Sequence, residues 1–370
     1  MASTRIRGAR ALSVLGCVFW MTALAAAPPR YPDRDNLLVY RDRAGQLHPV
    51  RTLQDWRIRR EHILEAMQEV MGPLPDVSRQ VPLDVQVVEE VRLPGYVRRK
   101  ITFVPEPGDR VPAYLLVPER RRGRVPAVLC LHQTTPLGKA EPAGLGPDAS
   151  KHYARHLAER GYVTLAPDYP NFGDYRYDPY RQGYVSATMK GIWNHKRAVD
   201  LLCSLPEVDG NRIGVIGHSL GGHNSLFVAA FDERIRCIVS NCGFCTFRRY
   251  YGGNLAGWSH KGYMPRIRTV YELKPEKMPF EFTEVIAALA PRAVLAIAPV
   301  RDSNFAVEGV RECIAAAKPV YELLGAGQKL AAHYPEAGHE FPAAARQVAY
   351  SWLDRWLEHT PSDPNAGWKD

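Results

Sequence analysis

The sequence lacks the patterns that mark several large classes of protein. It has no internal repeat and no low-complexity tract, which excludes repeat arrays and fibrous proteins. The only C-x-x-C motif consists of Cys242 and Cys245, and the sequence has no second pair that would complete a zinc site. No nucleotide or flavin motif is present. We therefore expect a protein without a cofactor or a metal, and we leave open whether the two cysteines are thiols or a disulfide.

Charge of one sign does not dominate the chain. Its 370 residues include 48 lysines and arginines and 39 aspartates and glutamates, a formal net charge of +9. The basic runs at 98–100 and 120–122 fall in or beside expected hairpins without a nucleic-acid motif, so we interpret them as solvated turns and expect no nucleic-acid partner. An apolar content of 46% with 24% charged residues is typical of a globular protein.

The N-terminus has the pattern of an export signal. Arg5, Arg7 and Arg10 precede an apolar, small-residue stretch at 11–27, and Ala-Leu-Ala at 23–25 offers a cleavage site. We predict a signal peptide at 1–25, a secreted or periplasmic location, and no stable membrane span after its removal. A retained anchor is the alternative, because about 17 apolar residues is the lower limit for a span.

The motif Gly-His-Ser-Leu-Gly at 217–221 lies between an apolar run and an expected helix. A strand, a sharp turn and a helix in this order hold a serine hydroxyl clear of the backbone, and the flanking glycines permit close approach. Ser219 is therefore the candidate nucleophile. The alternative is a glycine-rich turn that carries a serine.

A serine hydroxyl needs a base and an acid to become a nucleophile. Asp302 follows the buried run at 293–298, and His339 follows the run at 329–334, so both lie at expected strand ends. The imidazole would take the serine proton, and the carboxylate would fix its tautomer. Glu308 and Glu336 are alternative acids, but neither lies as well at the strand exit.

An oxyanion hole requires two donors near the nucleophile. The backbone N–H of Leu220 is the first candidate. The second is the N–H of Gln133 or of Thr134, which follow the apolar run at 125–131, and the Gln133 side chain is a further option. The alternative is that these residues only turn the chain.

Strands and helices alternate from Val125 onward, which predicts an α/β fold with a doubly wound, mostly parallel sheet. Antiparallel strands at 81–118 are expected to precede it, after a helix at 52–71 and a polar, irregular lead at 26–52. The expected strands are 126–131, 162–166, 212–216, 235–240, 293–298 and 329–334, and the expected helices are 149–160, 185–204, 220–231, 307–324 and 342–358. We divide the chain into the signal at 1–25, an N-terminal extension packing on the core at 26–80, a catalytic domain at 81–360 and a tail at 361–370.

An aromatic-rich insertion at 243–291 interrupts this alternation. A long connection at the C-terminal edge of a sheet is a place for a pocket wall. Trp258 and Tyr263 in the insertion, and Tyr169 after another strand, are candidate substrate-binding residues. Packing within the insertion's own core is the alternative.

The stretches around His132, Ser219, Asp302 and His339 resemble the α/β-hydrolase superfamily, most closely its dienelactone-hydrolase and acetyl-xylan-esterase-like branch. The resemblance covers about 81–359 and implies the roles of nucleophile, acid and base given above. It departs from the commoner pattern at Gln133, where many relatives have glycine.

The sequence therefore predicts an exported serine carboxylic-ester hydrolase that forms an acyl-enzyme. Its expected substrate is a small-molecule or polysaccharide ester, with acetyl esters among the candidates. Two alternatives stay open: a serine peptidase or amidase of the prolyl-peptidase-like type, and a non-catalytic binding protein on a hydrolase scaffold.

Overall fold

The computed structural model describes residues 28–121 and 123–367. The signal peptide predicted at 1–25 lies outside them. The strands are β1 (Val39–Arg41), β2 (Leu47–Pro49), β3 (Gln86–Leu93), β4 (Tyr96–Phe103), β5 (Val111–Pro118), β6 (Val125–Leu131), β7 (Val163–Pro167), β8 (Val208–His218), β9 (Ile235–Asn241), β10 (Ala293–Ile297) and β11 (Leu330–His333). The helices are α1 (Leu53–Met71), α2 (Tyr153–Glu159), α3 (Ala187–Ser204), α4 (Leu220–Phe231), α5 (Arg266–Thr269), α6 (Phe282–Ala288), α7 (Val307–Leu323) and α8 (Ala343–Trp356).

Nine strands form one sheet in the order β11-β10-β9-β8-β6-β7-β5-β4-β3. The strands from β6 to β11 pair in parallel, and β3, β4 and β5 pair antiparallel at one edge. Every residue of β6 and of β10 is buried, because helices cover both faces of a parallel sheet. This confirms the predicted doubly wound fold.

Successive residues of a strand point to opposite faces, and the two faces of this sheet bury separate cores. Leu129 of β6 packs in the core under α3 and α4, whereas its neighbour Val128 packs in the core under α2 and α8. The loops that follow the parallel strands therefore meet at one edge, above a rigid support.

The N-terminal extension packs on the first of these cores. Thr52 and Asp55 form a capping box at the start of α1, and Trp56 and Ile63 on that helix belong to the core cluster. The predicted irregular lead at 26–52 is partly wrong, because β1 and β2 form an antiparallel pair there. Strands of three residues are too short to show an alternating pattern.

Two further features differ in detail from the sequence-based expectation. The predicted helix at 149–160 is divided into a 3-10 turn at 149–151 and α2. The insertion at 243–291 has short helical turns together with α5 and α6. Within 28–121 and 123–367, no helix combines the length and the apolar character needed to cross a bilayer.

Candidate active site

Ser219 lies in a sharp turn between β8 and α4, with φ 55° and ψ −117°. A serine in this region of φ and ψ is strained, so the surrounding backbone must hold it there. A Cβ on Gly221 would lie 1.8 Å from the carbonyl oxygen of Leu131, and a Cβ on Gly217 would lie 2.2 Å from the carbonyl carbon of Gly221. Glycine is therefore required at both positions, and the partly exposed Ser219 side chain stands at the sheet edge as the motif predicts.

Asp302 and His339 form a hydrogen-bonded pair after β10 and β11. The Nδ1 atom of His339 is 3.0 Å from each carboxylate oxygen of Asp302. Oδ1 of Asp302 also accepts from the backbone N–H of Asn304 at 2.7 Å and of Phe305 at 3.2 Å. The Asp302 side chain is 1% exposed and that of His339 is 23% exposed. The carboxylate therefore holds the proton on Nδ1 and leaves Nε2 free to act as a base.

The alternative acids occupy other positions. Glu336 pairs with Arg301 at 3.0 Å, and its side chain is 76% exposed. Glu308 is exposed on the first turn of α7. Asp302 is the carboxylate that His339 contacts.

His218 links the acid–base pair to the nucleophile turn. Its ring centroid lies 4.9 Å from that of His339, so the imidazole of His339 contacts the residue that directly precedes Ser219. Nδ2 of Asn241 is 2.7 Å from Nδ1 of His218, and burial lowers the pKa of His218 well below its usual value, so this ring is neutral. In the described part of the chain, no hydrogen bond joins Ser219 Oγ to His339, and such bonds often tighten only when substrate binds. The x positions of G-x-S-x-G follow no pattern, so this contact could not be predicted from the sequence.

The candidate oxyanion donors flank Ser219. Leu220 begins α4, where backbone N–H groups have no acceptor within the helix. Thr134 lines the same pocket as Ser219. The side chain of Gln133 is occupied elsewhere, since its Nε2 donates to Glu141 at 2.7 Å.

His132 anchors the loop that carries the second candidate donor. It is 2% exposed, its Nδ1 is 2.6 Å from the Gln133 carbonyl oxygen, and its Nε2 is 3.0 Å from the Tyr169 backbone nitrogen. The Tyr169 N–H can only donate, so Nδ1 carries the proton and donates to Gln133. Burial lowers the pKa of His132 and keeps the ring neutral. Because the C=O and N–H of a trans peptide point in opposite directions, this bond sets the direction of the Thr134 N–H.

A pocket of about 160 Å³ opens above Ser219. Trp258 and Tyr263 from the insertion line it, as the sequence predicts for a pocket wall. Tyr169 does not line it: this side chain is 2% exposed and packs with Ala187 and Leu220 behind the wall. The pocket is lined by Thr134, Ser219, Leu220, His223, Tyr250, Gly257, Trp258, Tyr263, Asn304 and Phe305.

A larger groove of about 710 Å³ adjoins this pocket and shares Thr134 and Tyr263 with it. The Thr134 hydroxyl and the Tyr263 hydroxyl are 3.0 Å apart and form a bridge between the two spaces. Aromatic rings such as Phe172 line the groove, together with the ammonium group of Lys261 and the carboxylate of Asp178.

The cysteines of the described residues are separate thiols, including Cys242 and Cys245. Cys242 follows β9 and is 2% exposed, and its Sγ donates to the carbonyl of Glu340 at 3.3 Å. Burial and the neighbouring Asp302 carboxylate raise the pKa of this thiol well above its usual value. Cys242 therefore lies next to the acid–base pair as a neutral thiol, which no sequence pattern indicated.

Comparison with known proteins agrees with this geometry. The profile of a family described as glucuronyl esterase, fungi, matches residues 171–325, and that of a family described as Abhydrolase matches residues 39–178. YtaP of Bacillus subtilis, named only as a hydrolase, is 28% identical over 301 residues, which are 78% of this chain and 96% of that protein. Carbohydrate esterase MZ0003, from an unknown prokaryotic organism, is 29% identical over 38% of this chain, an alignment that spans only 34% of that protein.

Solved structures share the fold. A glucuronoyl esterase from Solibacter usitatus superposes with a TM-score of 0.69 at 20% identity, covering 89% of this chain and 99% of that one. The sheet order, the nucleophile turn between β8 and α4 and these similarities lead to one assignment. The chain has the α/β-hydrolase fold.

Proposed function

We propose that this protein is a serine carboxylic-ester hydrolase that acts on carbohydrate esters through an acyl-enzyme. The observation that carries the proposal is the pair of Asp302 and His339 beside the strained turn of Ser219. A carboxylate that fixes Nδ1–H, an imidazole with a free Nε2 and a serine held outward are the groups that acyl transfer needs.

In the proposed reaction, Ser219 Oγ attacks the ester carbonyl carbon while His339 Nε2 takes its proton. The tetrahedral oxyanion accepts hydrogen bonds from the N–H groups of Leu220 and Thr134. His339 then returns the proton to the alcohol oxygen as the carbon–oxygen bond breaks. Water, deprotonated by the same Nε2, attacks the acyl-enzyme, and Nε2 gives this proton to Ser219 Oγ as the bond to the acyl carbon breaks and the acid leaves.

The order of the strands supports a proposal for the side of Ser219 on which the acyl half and the alcohol half of the ester lie. His339 and Asp302 follow β11 and β10, on one side of Ser219, and Thr134 follows β6 on the other side. The alcohol oxygen has to lie within reach of His339 Nε2 to receive its proton. The acyl half therefore extends past Thr134 and Tyr263, where the groove of about 710 Å³ continues.

The lining of the groove supports a carbohydrate acid as the acyl half. Flat rings such as Phe172 and Tyr180 offer faces for sugar rings. Lys261 in the groove and Arg176 at its margin outnumber the one carboxylate of its lining, Asp178, which favours a chain that carries further carboxylates. The named esterases among the relatives and solved structures support the same substrate class.

The test is hydrolysis of three substrates by the mature chain: an aryl acetate, an acetylated sugar and the methyl ester of a uronic acid. We expect turnover of the methyl uronate to exceed that of the acetylated sugar and to be lost in Ser219→Ala. Ser351→Ala, on the exposed surface of α8, is the matched control and should keep full activity. Turnover that persists in Ser219→Ala would refute the mechanism, and a preference for the acetylated sugar would reverse the allocation of the two halves.

We further propose that the protein is exported, as the residues preceding position 28 suggest. Expression with and without residues 1–25, followed by N-terminal sequencing of protein from the periplasm and the medium, tests this. Recovery of uncleaved protein only from the cytosol would contradict it.

A further inference from the structure

Three different metal-ligating side chains meet behind the nucleophile. The ligand atoms of Cys242, Asp302 and His339 all lie within 4.8 Å of one another. They come from the ends of three neighbouring strands, β9, β10 and β11, so a rigid sheet holds all three. Only Asp302 and His339 have roles in the proposed reaction, and the thiol is not needed for it.

The chemistry of this set matches a thiophilic divalent cation. Zinc binds thiolate sulfur, imidazole nitrogen and carboxylate oxygen at about 2.0 to 2.3 Å, which puts tetrahedral ligands roughly 3.5 Å apart. To bind the cation, the two ligand atoms that lie farthest apart would have to approach each other by about 1 Å. Thiolate favours zinc over magnesium and calcium, which prefer oxygen ligands. A thiolate and a carboxylate together also neutralise the two charges of the cation, which a buried site requires.

We propose that Cys242, Asp302 and His339 form an inhibitory site for Zn²⁺. Binding breaks the S–H bond of Cys242, releases that proton to solvent and forms a Zn–S bond. The cation binds His339 through Nδ1, so the single proton of the neutral imidazole resides on Nε2. Nε2 can then no longer accept the proton of Ser219, and water fills the fourth position on the cation.

Access to this site leads through His339. The side chain of Asp302 is 1% exposed and Cys242 is 2% exposed, whereas the side chain of His339 is 23% exposed. The cation therefore replaces the Nδ1–H···carboxylate hydrogen bond as it enters. Inhibition should develop slowly and should be reversed by a chelator.

The first experiment titrates ester hydrolysis by the full chain with ZnCl₂ and, separately, with MgCl₂. We expect Zn²⁺ to inhibit, EDTA to restore activity and Mg²⁺ to have no effect. Cys242→Ser should weaken inhibition by more than about tenfold, the loss already expected for an outer-shell partner of a metal ligand. Cys245→Ser removes another buried thiol, three residues away, and should leave the inhibition unchanged. Equal inhibition of Cys242→Ser and of the wild-type chain would overturn the proposal.

The inhibition readout rests on the proposed esterase activity, so a second readout is independent of it. Co²⁺ added to the chain without substrate should produce a sulfur-to-metal charge-transfer band, which is absent in Cys242→Ala and retained in Cys245→Ser. This band without any esterase activity would uphold the metal site and refute the proposed function. Esterase activity without the band would refute the metal site and uphold the proposed function.

Discussion

Replacement of His132 tests whether the loop after β6 supplies an oxyanion donor. His132→Phe keeps a buried ring but removes the donor to the Gln133 carbonyl and the acceptor for the Tyr169 N–H. His132→Asn keeps a donor at the position of Nδ1 and loses only the acceptor. The two variants therefore separate the orientation of the Thr134 peptide from the attachment of the Tyr169 loop.

The expected magnitudes follow from these two hydrogen bonds. Loss of one oxyanion donor costs about 100- to 1,000-fold in kcat. The peptide between Gln133 and Thr134 keeps its N–H when the hydrogen bond from His132 is lost, so the loss should lie at the lower end of this range. We expect kcat of His132→Phe to fall by about 100-fold, with KM within about threefold. The kcat of His132→Asn should be at least about tenfold higher than that of His132→Phe. Each buried backbone group left unpaired also costs about 1–3 kcal/mol of stability, so His132→Phe should lose about 2–6 kcal/mol.

The assay is steady-state hydrolysis of an aryl ester by each variant, with urea unfolding to establish that the enzyme is folded under assay conditions. A folded His132→Phe that keeps the kcat of the wild-type chain would refute the reasoning, because His132 would then serve stability alone. Equal kcat losses in both variants would assign the effect to the Tyr169 contact instead.

Three other perturbations have defined outcomes. Asp302→Asn should lower kcat by about 10,000-fold, since a carboxamide no longer favours the Nδ1–H tautomer of His339, and ester hydrolysis at a series of pH values measures this. Arg59→Met should destabilise the chain by about 3–5 kcal/mol in urea unfolding, because it removes the ion-pair partner of the buried Glu284, 2.5 Å away. The double variant Arg59→Met with Glu284→Gln should lose less stability, since no buried charge is then left without its partner. This test also measures how firmly the N-terminal extension is attached to α6. Burial raises the pKa of Glu281 from 4.5 to about 7. The native state then holds a proton that the unfolded state releases, so stability should fall as pH rises from about 4.5 to about 7, and thermal unfolding of Glu281→Gln should show less of this fall.

The regular parts of the fold were predictable because their residues repeat a simple pattern. The apolar runs of β6 and β10 are buried on both faces, which a continuous run indicates. The helix predicted at 220–231 coincides with α4, because a glycine-flanked turn sets its start and the apolar run its length. The positions of Ser219, Asp302 and His339 could be predicted in the same way, because each lies after an apolar run that forms a strand.

Contacts between loops left no comparable pattern. The bond from His132 to Tyr169 joins residues 37 positions apart, and only the pairing of β6 with β7 brings their loops together. Cys242 stands beside Asp302 for the same reason, through β9 and β10. Tyr169 follows its strand in the expected place, but the direction of its side chain depends on Ala187 and Leu220, which lie in other elements.

The distribution of the proposed catalytic groups over separate strand ends has a consequence for how activity arises during synthesis. A growing chain that has emerged only as far as α7 carries Ser219 and Asp302 but not yet His339, which lies 37 positions after Asp302. The nucleophile is therefore inert until β11 joins the edge of the sheet. Hydrolysis is then a sensitive reporter of completed folding, and fragments that divide the chain between α7 and β11 should be active only when they reassociate.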